Sequence, residues 1–417
     1  MTITPILIFL TAVLACFGPK FGPLDSSVFG GFICLLLLSQ QNRVRVPKEY
    51  LTVLLLITGL LTYSTIATIV NQSYDYYAVA RHLRALISTA TLGLAFYNLN
   101  VKPGKLVDIL LLVLLLNASA VIMEITIPQT QVFLSPIYGF TKGLRTGLRA
   151  FGLTAGYDSA GYLCVAGGVF SAIKIQIGKK VFPYLIYLTI FTIAAIFTSR
   201  SSMMLNLIVT FVMCLLFLFK GKAGMKLVGM TYLFGGAIVV IGYVIPLILS
   251  TFTLADFQLA AIGSTDVNYT DSFSKTDIGD WKQTMWIVPD GFFKTIFGVS
   301  IDVPESDMGY VKLIFMSGLI GLGLALFTYL YMLWKSIMMK SRIPAGEDAD
   351  LVDGRILVLI TIVFLTAMYI VNVKNLYFFT RAYHELSIML FFAALKWHRR
   401  LEGGLPASAS PGLGYNH

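Results

Sequence analysis

Long apolar stretches alternate with short polar segments along nearly the whole chain. Each stretch approaches the ~20 residues that an α-helix needs to cross a bilayer. The pattern predicts twelve membrane-spanning helices, with ten or eleven as alternatives because the first and last stretches are short. The predicted spans are 3–18, 25–41, 50–70, 82–99, 106–127, 153–173, 181–198, 202–220, 226–250, 309–334, 354–373 and 384–397.

The spacing of these stretches divides the chain into four regions. Residues 1–250 carry nine spans and, near 128–152, a basic segment outside the membrane. Residues 251–308 form one large loop, residues 309–400 carry the last three spans, and residues 401–417 read as a disordered tail rich in Gly, Pro and Ser. The sequence therefore predicts an all-α polytopic membrane protein.

Basic residues set the orientation of the spans. Cytoplasmic loops normally carry the excess of Lys and Arg. The segments 42–49, 101–105, 174–180, 220–226, 335–355 and 396–400 hold 18 of the 31 basic residues. These segments lie on one side of the predicted topology together with both termini. We therefore expect both termini in the cytoplasm and the large loop on the outer face.

Composition narrows the class of protein further. The chain is 57% hydrophobic and 12% charged, and its net charge is +10. The positive charge lies mainly in loops that would face anionic membrane lipids, and no soluble basic domain is present to bind nucleic acid. The four cysteines lie within apolar stretches, and the chain has no CxxC, HExxH or GxxxxGK motif. No metal and no cofactor is predicted.

Half of the twelve arginines fall on the predicted outer side, against the usual bias. A guanidinium is costly near hydrocarbon unless it pairs with an anion, and its planar fork matches the oxygens of a phosphate. These residues predict an anion-binding site at the outer face. They are Arg81, Arg84, Arg145, Arg149, Arg200 and Arg381.

Three of these arginines are the stronger candidates. Arg145 and Arg149 form an i, i+4 pair in a glycine-rich segment that allows close approach of a bulky ligand. Arg200 lies in FTSRSSMML, where a helix begins and its free N–H groups favour an anion. The alternative for the first pair is an ion pair with Asp158.

For the other three arginines, a role other than anion binding stays open. Arg81 and Arg84 share a helix face, yet both could extend to lipid headgroups instead. Arg381 lies close to His384 and Glu385, which form a candidate general base or an interfacial anchor. Alternative carboxylate bases are Glu305 and Asp307, although acids at a helix start also serve as caps.

Aromatic residues in and after the large loop are candidate glycan contacts. The loop is acidic, with nine acids and three lysines, and its middle reads DWKQTMWIVPDGFFKTIFG. Trp281 and Trp286 lie on an amphipathic face there, and Tyr310 begins the next span. Such rings could stack on sugars. The alternative is a helix that lies on the bilayer surface.

Four segments in order resemble the superfamily of O-antigen polymerases and O-antigen ligases, the Wzy-type glycan polymerases of bacterial inner membranes. They are RAFGLTAGYDSAGY (149–162), FTSRSSMML (197–205), DWKQTMWIVPDGFFKTIFGVSID (280–302) and ESDMGYVKLIFMSGLIGLG (305–323). Ligase-like members usually have a His where this chain has Ser306–Asp307–Met308, and many members have an Arg near 277–280. Both departures favour a polymerase over a ligase.

The resemblance implies a membrane glycosyltransferase of the C-type fold without a metal. It implies transfer of a glycan from an undecaprenyl diphosphate carrier to a lipid-linked repeat unit on the periplasmic face of the inner membrane. A partner that regulates polysaccharide chain length is also implied. Two alternatives remain open: a ligase that acts on lipid A core, and a flippase or other transporter of lipid-linked oligosaccharides.

Overall fold

We describe a computed structural model of the chain. The structure describes residues 3–21, 24–25, 27–39, 43–139, 149–178, 181–220, 287–301, 308–344 and 348–403, together with Gly229 and Gly346. Within these ranges the regular structure is helical, apart from one small antiparallel ladder in which β1 (Lys20–Phe21) pairs with β2 (Leu24–Asp25).

Helices occupy eleven of the twelve predicted spans, and the span 226–250 lies outside the described residues except for Gly229. The last helix continues to Glu402, into the region predicted to be a tail. The helices are α1 Ile3–Phe17, α2 Ser27–Ser39, α3 Lys48–Val70, α4 Tyr77–Ser88, α5 Leu94–Asn98, α6 Pro103–Thr126, α7 Pro128–Tyr138, α8 Tyr157–Ile177, α9 Phe182–Ile196, α10 Arg200–Lys220, α11 Phe292–Phe297, α12 Gly309–Ser341, α13 Ala349–Val371 and α14 Tyr383–Glu402.

Six of these helices are long and apolar enough to cross a membrane, namely α3, α6, α8, α10, α12 and α13. Helices α1 and α9 are also apolar but shorter. The architecture is therefore that of a helical membrane protein with six candidate spans among the described residues. That all twelve predicted stretches cross the bilayer stays a prediction.

Helix α14 lies at the centre of the helix bundle. Every residue from Tyr383 to Leu395 is buried, so this helix presents no face to the surroundings over more than three turns. It packs against α13, α5, α1 and α12. A helix that is enclosed on all sides is well suited to hold polar side chains in fixed positions, because its neighbours restrict them.

The predicted span 82–99 is one helical path with an interruption. Helix α4 begins earlier, at Tyr77, and a π-helical turn at Thr89–Gly93 joins it to α5. A ring of Phe392 packs directly on Gly93, where a side chain would not fit. Such π turns occur frequently at functional sites because they displace side chains from the regular helical register.

Basic segments assigned to one side of the membrane meet at one end of the bundle. Lys396 Nζ donates to Asn98 O at 2.7 Å, and Arg399 Nη2 contacts Glu49 Oε1 at 3.0 Å. Lys335 Nζ lies 3.9 Å from the same carboxylate. We call this end the basic end. The starts of α4 and α14 lie at the opposite end, because these helices run towards the basic end.

Residues 287–301 of the large loop fold against the ends of α3 and α12. The backbone N–H groups of Val299 and Ser300 donate to Phe315 O at 2.8 and 3.0 Å. Gly318 interrupts α12 with a φ of 64°, which brings its backbone against Ile296. Helix α11 is only six residues long, so the amphipathic helix predicted in this loop is short within the described residues.

The segment 128–152 contains a helix where the sequence predicted a basic loop outside the membrane. Helix α7 begins at Pro128, a residue suited to the first turn of a helix, and ends before Gly139, whose φ is 66°. Residues 140–148, including the predicted anion ligand Arg145, lie outside the described residues.

Candidate anion-binding site

A cavity of about 530 Å³ opens at the end of the bundle opposite to the basic end. Its walls come from five helices and two connections. They are the ends of α1 and α7, the starts of α2 and α8, helix α4, and the residues before α8 and before α14. Three of the predicted arginines line this cavity together with several hydroxyl groups. The polar lining residues are Arg81, Arg84, Arg381, Tyr77, Tyr138, Thr154, Ser159 and Thr380.

Arg81 lies one helical turn after Tyr77 and uses that residue as a support. Its Nη2 donates to Tyr77 Oη at 2.5 Å, and its guanidinium carbon lies 4.6 Å from the centre of the Tyr77 ring. The second terminal nitrogen, Nη1, is buried and meets no hydrogen-bond acceptor among the described residues. A buried guanidinium donor of this kind is costly unless a ligand satisfies it.

Arg84 lies on the same face of α4 and is held from two directions. Its Nη2 donates to Phe379 O at 2.6 Å, and its Nε lies 3.9 Å from Glu385 Oε1. Only 17% of the Arg84 side chain is exposed, and the Glu385 side chain is fully buried. The guanidinium is therefore fixed at the cavity wall and not extended towards lipid headgroups.

Arg381 belongs to the segment 372–382 between α13 and α14. Asn372 is fully buried, and its Oδ1 accepts the N–H groups of Tyr377 at 2.9 Å and Phe378 at 3.2 Å. These bonds fold the segment into the bundle and direct Arg381 to the cavity. Burial raises the pKa of Tyr138 on the facing wall above its ordinary value, and the positive charge of Arg381 offsets only part of this rise.

His384 and Glu385, the predicted general base, do not line the cavity. His384 Nε2 lies 3.1 Å from Ala85 O and 3.0 Å from Thr89 Oγ1, and its Nδ1 lies 2.9 Å from Tyr329 Oη. Since Ala85 O can only accept, Nε2 carries the proton in this arrangement. Both ring nitrogens are therefore engaged with the protein, and the geometry favours a positioning role for His384.

Glu385 is bound in the same way. Ser88 Oγ donates to its Oε1 at 3.1 Å, and Arg84 approaches the same oxygen. A base that activates a sugar hydroxyl must reach that hydroxyl directly or through one water. The buried location of Glu385 behind Arg84 favours a role as the anion that orients Arg84, and its function as a general base stays a prediction.

Two motifs that are distant in sequence lie side by side next to the cavity. The backbone N–H of Ala150 donates to Phe197 O at 2.8 Å, which joins the segment that carries Arg149 to the turn before α10. Gln131 of α7 is fully buried, and its Nε2 donates to Arg149 O at 2.6 Å. Arg200 begins α10 at this turn, and its side chain lies outside the described residues.

Two acids in this region bind neighbouring groups of the protein. Glu124 is fully buried, and its Oε2 accepts the backbone N–H of Phe151 at 2.9 Å. Asp158 was the alternative partner for the basic segment. Its Oδ1 accepts a hydrogen bond from Ser201 Oγ at 2.7 Å, so it links the start of α8 to α10.

Of the remaining sequence candidates, Tyr310 lies in the described part of the chain, and it does not line the cavity. Tyr310 is half-buried, and its hydroxyl donates to Tyr369 O at 2.6 Å. Predictions for the others stand as made, because these residues lie outside the described part of the chain. They are Arg145, Glu305, Asp307, Trp281 and Trp286.

Sequence reasoning missed the tyrosines and hydroxyls of the site. Tyr77 lies four residues before Arg81, and this helical spacing could have identified the pair. Tyr329 and Thr89 are polar side chains within apolar stretches, a pattern that signals an internal hydrogen-bond partner. Tyr138 gave no such signal, because its place at the cavity depends on the path of α7.

The arrangement is suited to hold an anion with more than one charge. Arg81 and Arg84 come from one helix, and Arg381 comes from a segment almost 300 residues later. Hydroxyl groups from three further elements complete the lining. Arginine donors in a partly buried cavity bind phosphate oxygens more strongly than they would in water.

A scan against models of protein families and a search of curated proteins both find no match to this chain. The family resemblance therefore rests on the four sequence segments, and the function has to be inferred from the site.

Proposed function

We propose that the protein is a glycan polymerase of the bacterial inner membrane. It transfers a polysaccharide chain from undecaprenyl diphosphate to a lipid-linked repeat unit on the periplasmic face. The observation that carries this proposal is the cavity in which Arg81, Arg84 and Arg381 meet, at the end of the bundle opposite to the basic end. The order of the four sequence segments supports the same function.

The chemistry needs cations where the leaving group departs. The bond between the anomeric carbon and a diphosphate oxygen breaks, and a hydroxyl oxygen of the acceptor sugar forms the new bond. The proton of that hydroxyl passes to a base. Negative charge grows on the departing diphosphate, and preorganised donors in a water-poor site stabilise such charge. In this proposal the three arginines bind the diphosphate. The transfer is favourable because a reactive glycosyl diphosphate linkage is exchanged for a more stable glycosidic bond.

The three arginines contribute in different ways. Arg81 presents a buried nitrogen without an acceptor among the described residues, so it is the first candidate to bind a phosphate oxygen. Arg84 is held by Phe379 and Glu385 and contributes a fixed charge at the wall. Arg149 and Arg200, which the motif order favours, belong to the two segments that are joined next to the cavity.

A replacement in living cells tests the proposal. We expect that Arg381→Ala removes long glycan chains while single repeat units still reach the surface, and that Arg381→Lys retains part of the chain length. The control is Arg342→Ala, because Arg342 is exposed at the basic end and pairs with Glu402 there. Chain length is read on gels of surface polysaccharide, with the amount of protein in the membrane checked in parallel.

Two other results would redirect the assignment. Accumulation of repeat units on the cytoplasmic side would indicate a flippase or transporter. Normal polymer that is not attached to lipid A core would indicate the ligase, which differs from the polymerase in its acceptor. Chains of normal length in Arg381→Ala would contradict the role of the cavity.

A further inference from the structure

The segment that carries Arg381 has an unusual backbone conformation. Phe379 has a φ of 56° and Ala382 a φ of 70°, and these two residues bracket Thr380 and Arg381 in the cavity wall. Neither is a glycine, and a side chain in this region of backbone space strains the chain. Surrounding contacts must hold this conformation, and it places Arg381 in the cavity.

One hydroxyl group holds both ends of this turn. Tyr329 of α12 is fully buried, and its Oη accepts the backbone N–H of Phe379 at 3.0 Å. The same oxygen lies 2.9 Å from Nδ1 of His384, the second residue after Ala382. Tyr329 therefore contacts the residue that enters the turn and the helix that leaves it.

The directions of these hydrogen bonds are consistent with one another. His384 Nε2 donates to Ala85 O, so Nδ1 is free to accept, and the Tyr329 hydroxyl donates to it. A lone pair of the same hydroxyl oxygen receives the N–H of Phe379. The Phe379 carbonyl in turn accepts from Arg84. The series thus runs from α4 through His384, Tyr329 and Phe379 back to Arg84.

We propose that Tyr329 is a positioning residue, which fixes Arg381 relative to Arg84 without contacting the substrate. The proposal rests on the proposed function only for the identity of the anion, a diphosphate. A chain of buried hydrogen bonds between two cavity walls keeps their charges at a constant separation, and such preorganisation is what a charged leaving group requires. No residue of the series except Arg84 lines the cavity.

The test compares two replacements that each delete one tyrosine hydroxyl, that of the buried Tyr329 or that of the half-buried Tyr369. Tyr329→Phe removes the link to the turn. Tyr369→Phe is the control, because the Tyr369 hydroxyl donates to Leu326 O on α12 and not to the 372–382 segment. Both variants are purified as full chains in detergent. Two measurements follow: binding of inorganic diphosphate, and alkylation of Cys16 by a maleimide, resolved by peptide mass spectrometry.

Cys16 reports on the turn without any ligand. Its sulfur lies 4.0 Å from Ala382 O, and the residue is buried at the cavity wall. We expect that Tyr329→Phe accelerates Cys16 alkylation at least several-fold and weakens diphosphate binding by roughly tenfold, which corresponds to about 1.4 kcal/mol, the size of one lost hydrogen bond. Tyr369→Phe should change neither quantity.

The outcomes separate this inference from the proposed function. Unchanged Cys16 alkylation and unchanged binding in Tyr329→Phe would overturn the positioning role and leave the anion site in place. Faster alkylation in a protein whose wild type does not bind diphosphate would support the role of Tyr329 in the turn, but it would overturn the diphosphate as the ligand. Equal effects in both variants would show a general loss of packing and would also overturn the positioning role.

Discussion

The ion pair between Glu385 and Arg84 gives the most discriminating prediction about the site. Glu385 is fully buried at the start of α14, and its Oε1 lies 3.9 Å from Nε of Arg84. The sequence suggested Glu385 as part of a general base, whereas its location suggests a charge that fixes Arg84. The two roles differ in what happens when both residues are replaced together.

The size of the interaction follows from the distance. Two unit charges 3.9 Å apart attract each other by about 4 kcal/mol at an effective dielectric constant of ~20. Removal of one partner from a buried pair typically costs about 3–5 kcal/mol, because the other charge is left buried. We therefore expect that Arg84→Met lowers the free energy of unfolding by about 3 kcal/mol, and that Arg84→Met with Glu385→Gln recovers about 2 kcal/mol of that loss.

The assay is a double-mutant cycle in detergent micelles, with unfolding followed by circular dichroism. The hydrogen bond from Arg84 to Phe379 O is lost in both variants that lack Arg84. Its contribution to the free energy of unfolding therefore cancels in the cycle. Strictly additive losses would refute the pairing of the two charges. Moreover, a Glu385→Gln variant that keeps its stability and its anion affinity but loses all turnover would restore Glu385 as the general base.

Three further predictions concern helix packing, the role of Arg200 and the membrane topology. Gly161→Ala should lower the free energy of unfolding by about 1–3 kcal/mol, because a methyl group there meets Ser202 of α10. The control is Gly156→Ala, which should not lower it because a methyl group fits there. Thermal unfolding measures both variants. Arg200→Ala should shorten glycan chains in the host more than Arg200→Lys does, and chains of normal length in both would remove Arg200 from the site. A cysteine at position 265, in Thr265→Cys, should react with an impermeant maleimide from the outer face, and reaction only from the cytoplasm would invert the topology.

Much of the helical fold was predictable, because apolar stretches of spanning length leave few alternatives for the backbone. The start of α4 was placed too late, at 82, since the polar residues of YAVARHLR hid a helix that begins at Tyr77. The π turn at Thr89–Gly93 was not predictable, because it depends on packing with α14. Helix α7 was read as a loop, since its eleven residues are short and mixed in character.

The arginines of the site were predictable, but its other polar residues and its arrangement were not. The unusual charge bias identified Arg81, Arg84 and Arg381. They ranked below Arg145, Arg149 and Arg200, because a sequence does not show which side chains share a cavity. Their meeting depends on the folded segment 372–382, whose shape is set by Asn372 and by the hydroxyl of Tyr329. These long-range hydrogen bonds connect residues that no local pattern relates.

The central claim is that the arginine cavity binds the diphosphate of a lipid-linked glycan during transfer. The most direct measurement uses the purified protein in lipid vesicles, supplied with lipid-linked repeat units as the sole substrate. We predict a ladder of longer glycans and the release of one undecaprenyl diphosphate for each new linkage, with both products lost in Arg381→Ala and retained in Arg342→Ala. Movement of intact repeat units across the vesicle membrane without any transfer would contradict the account.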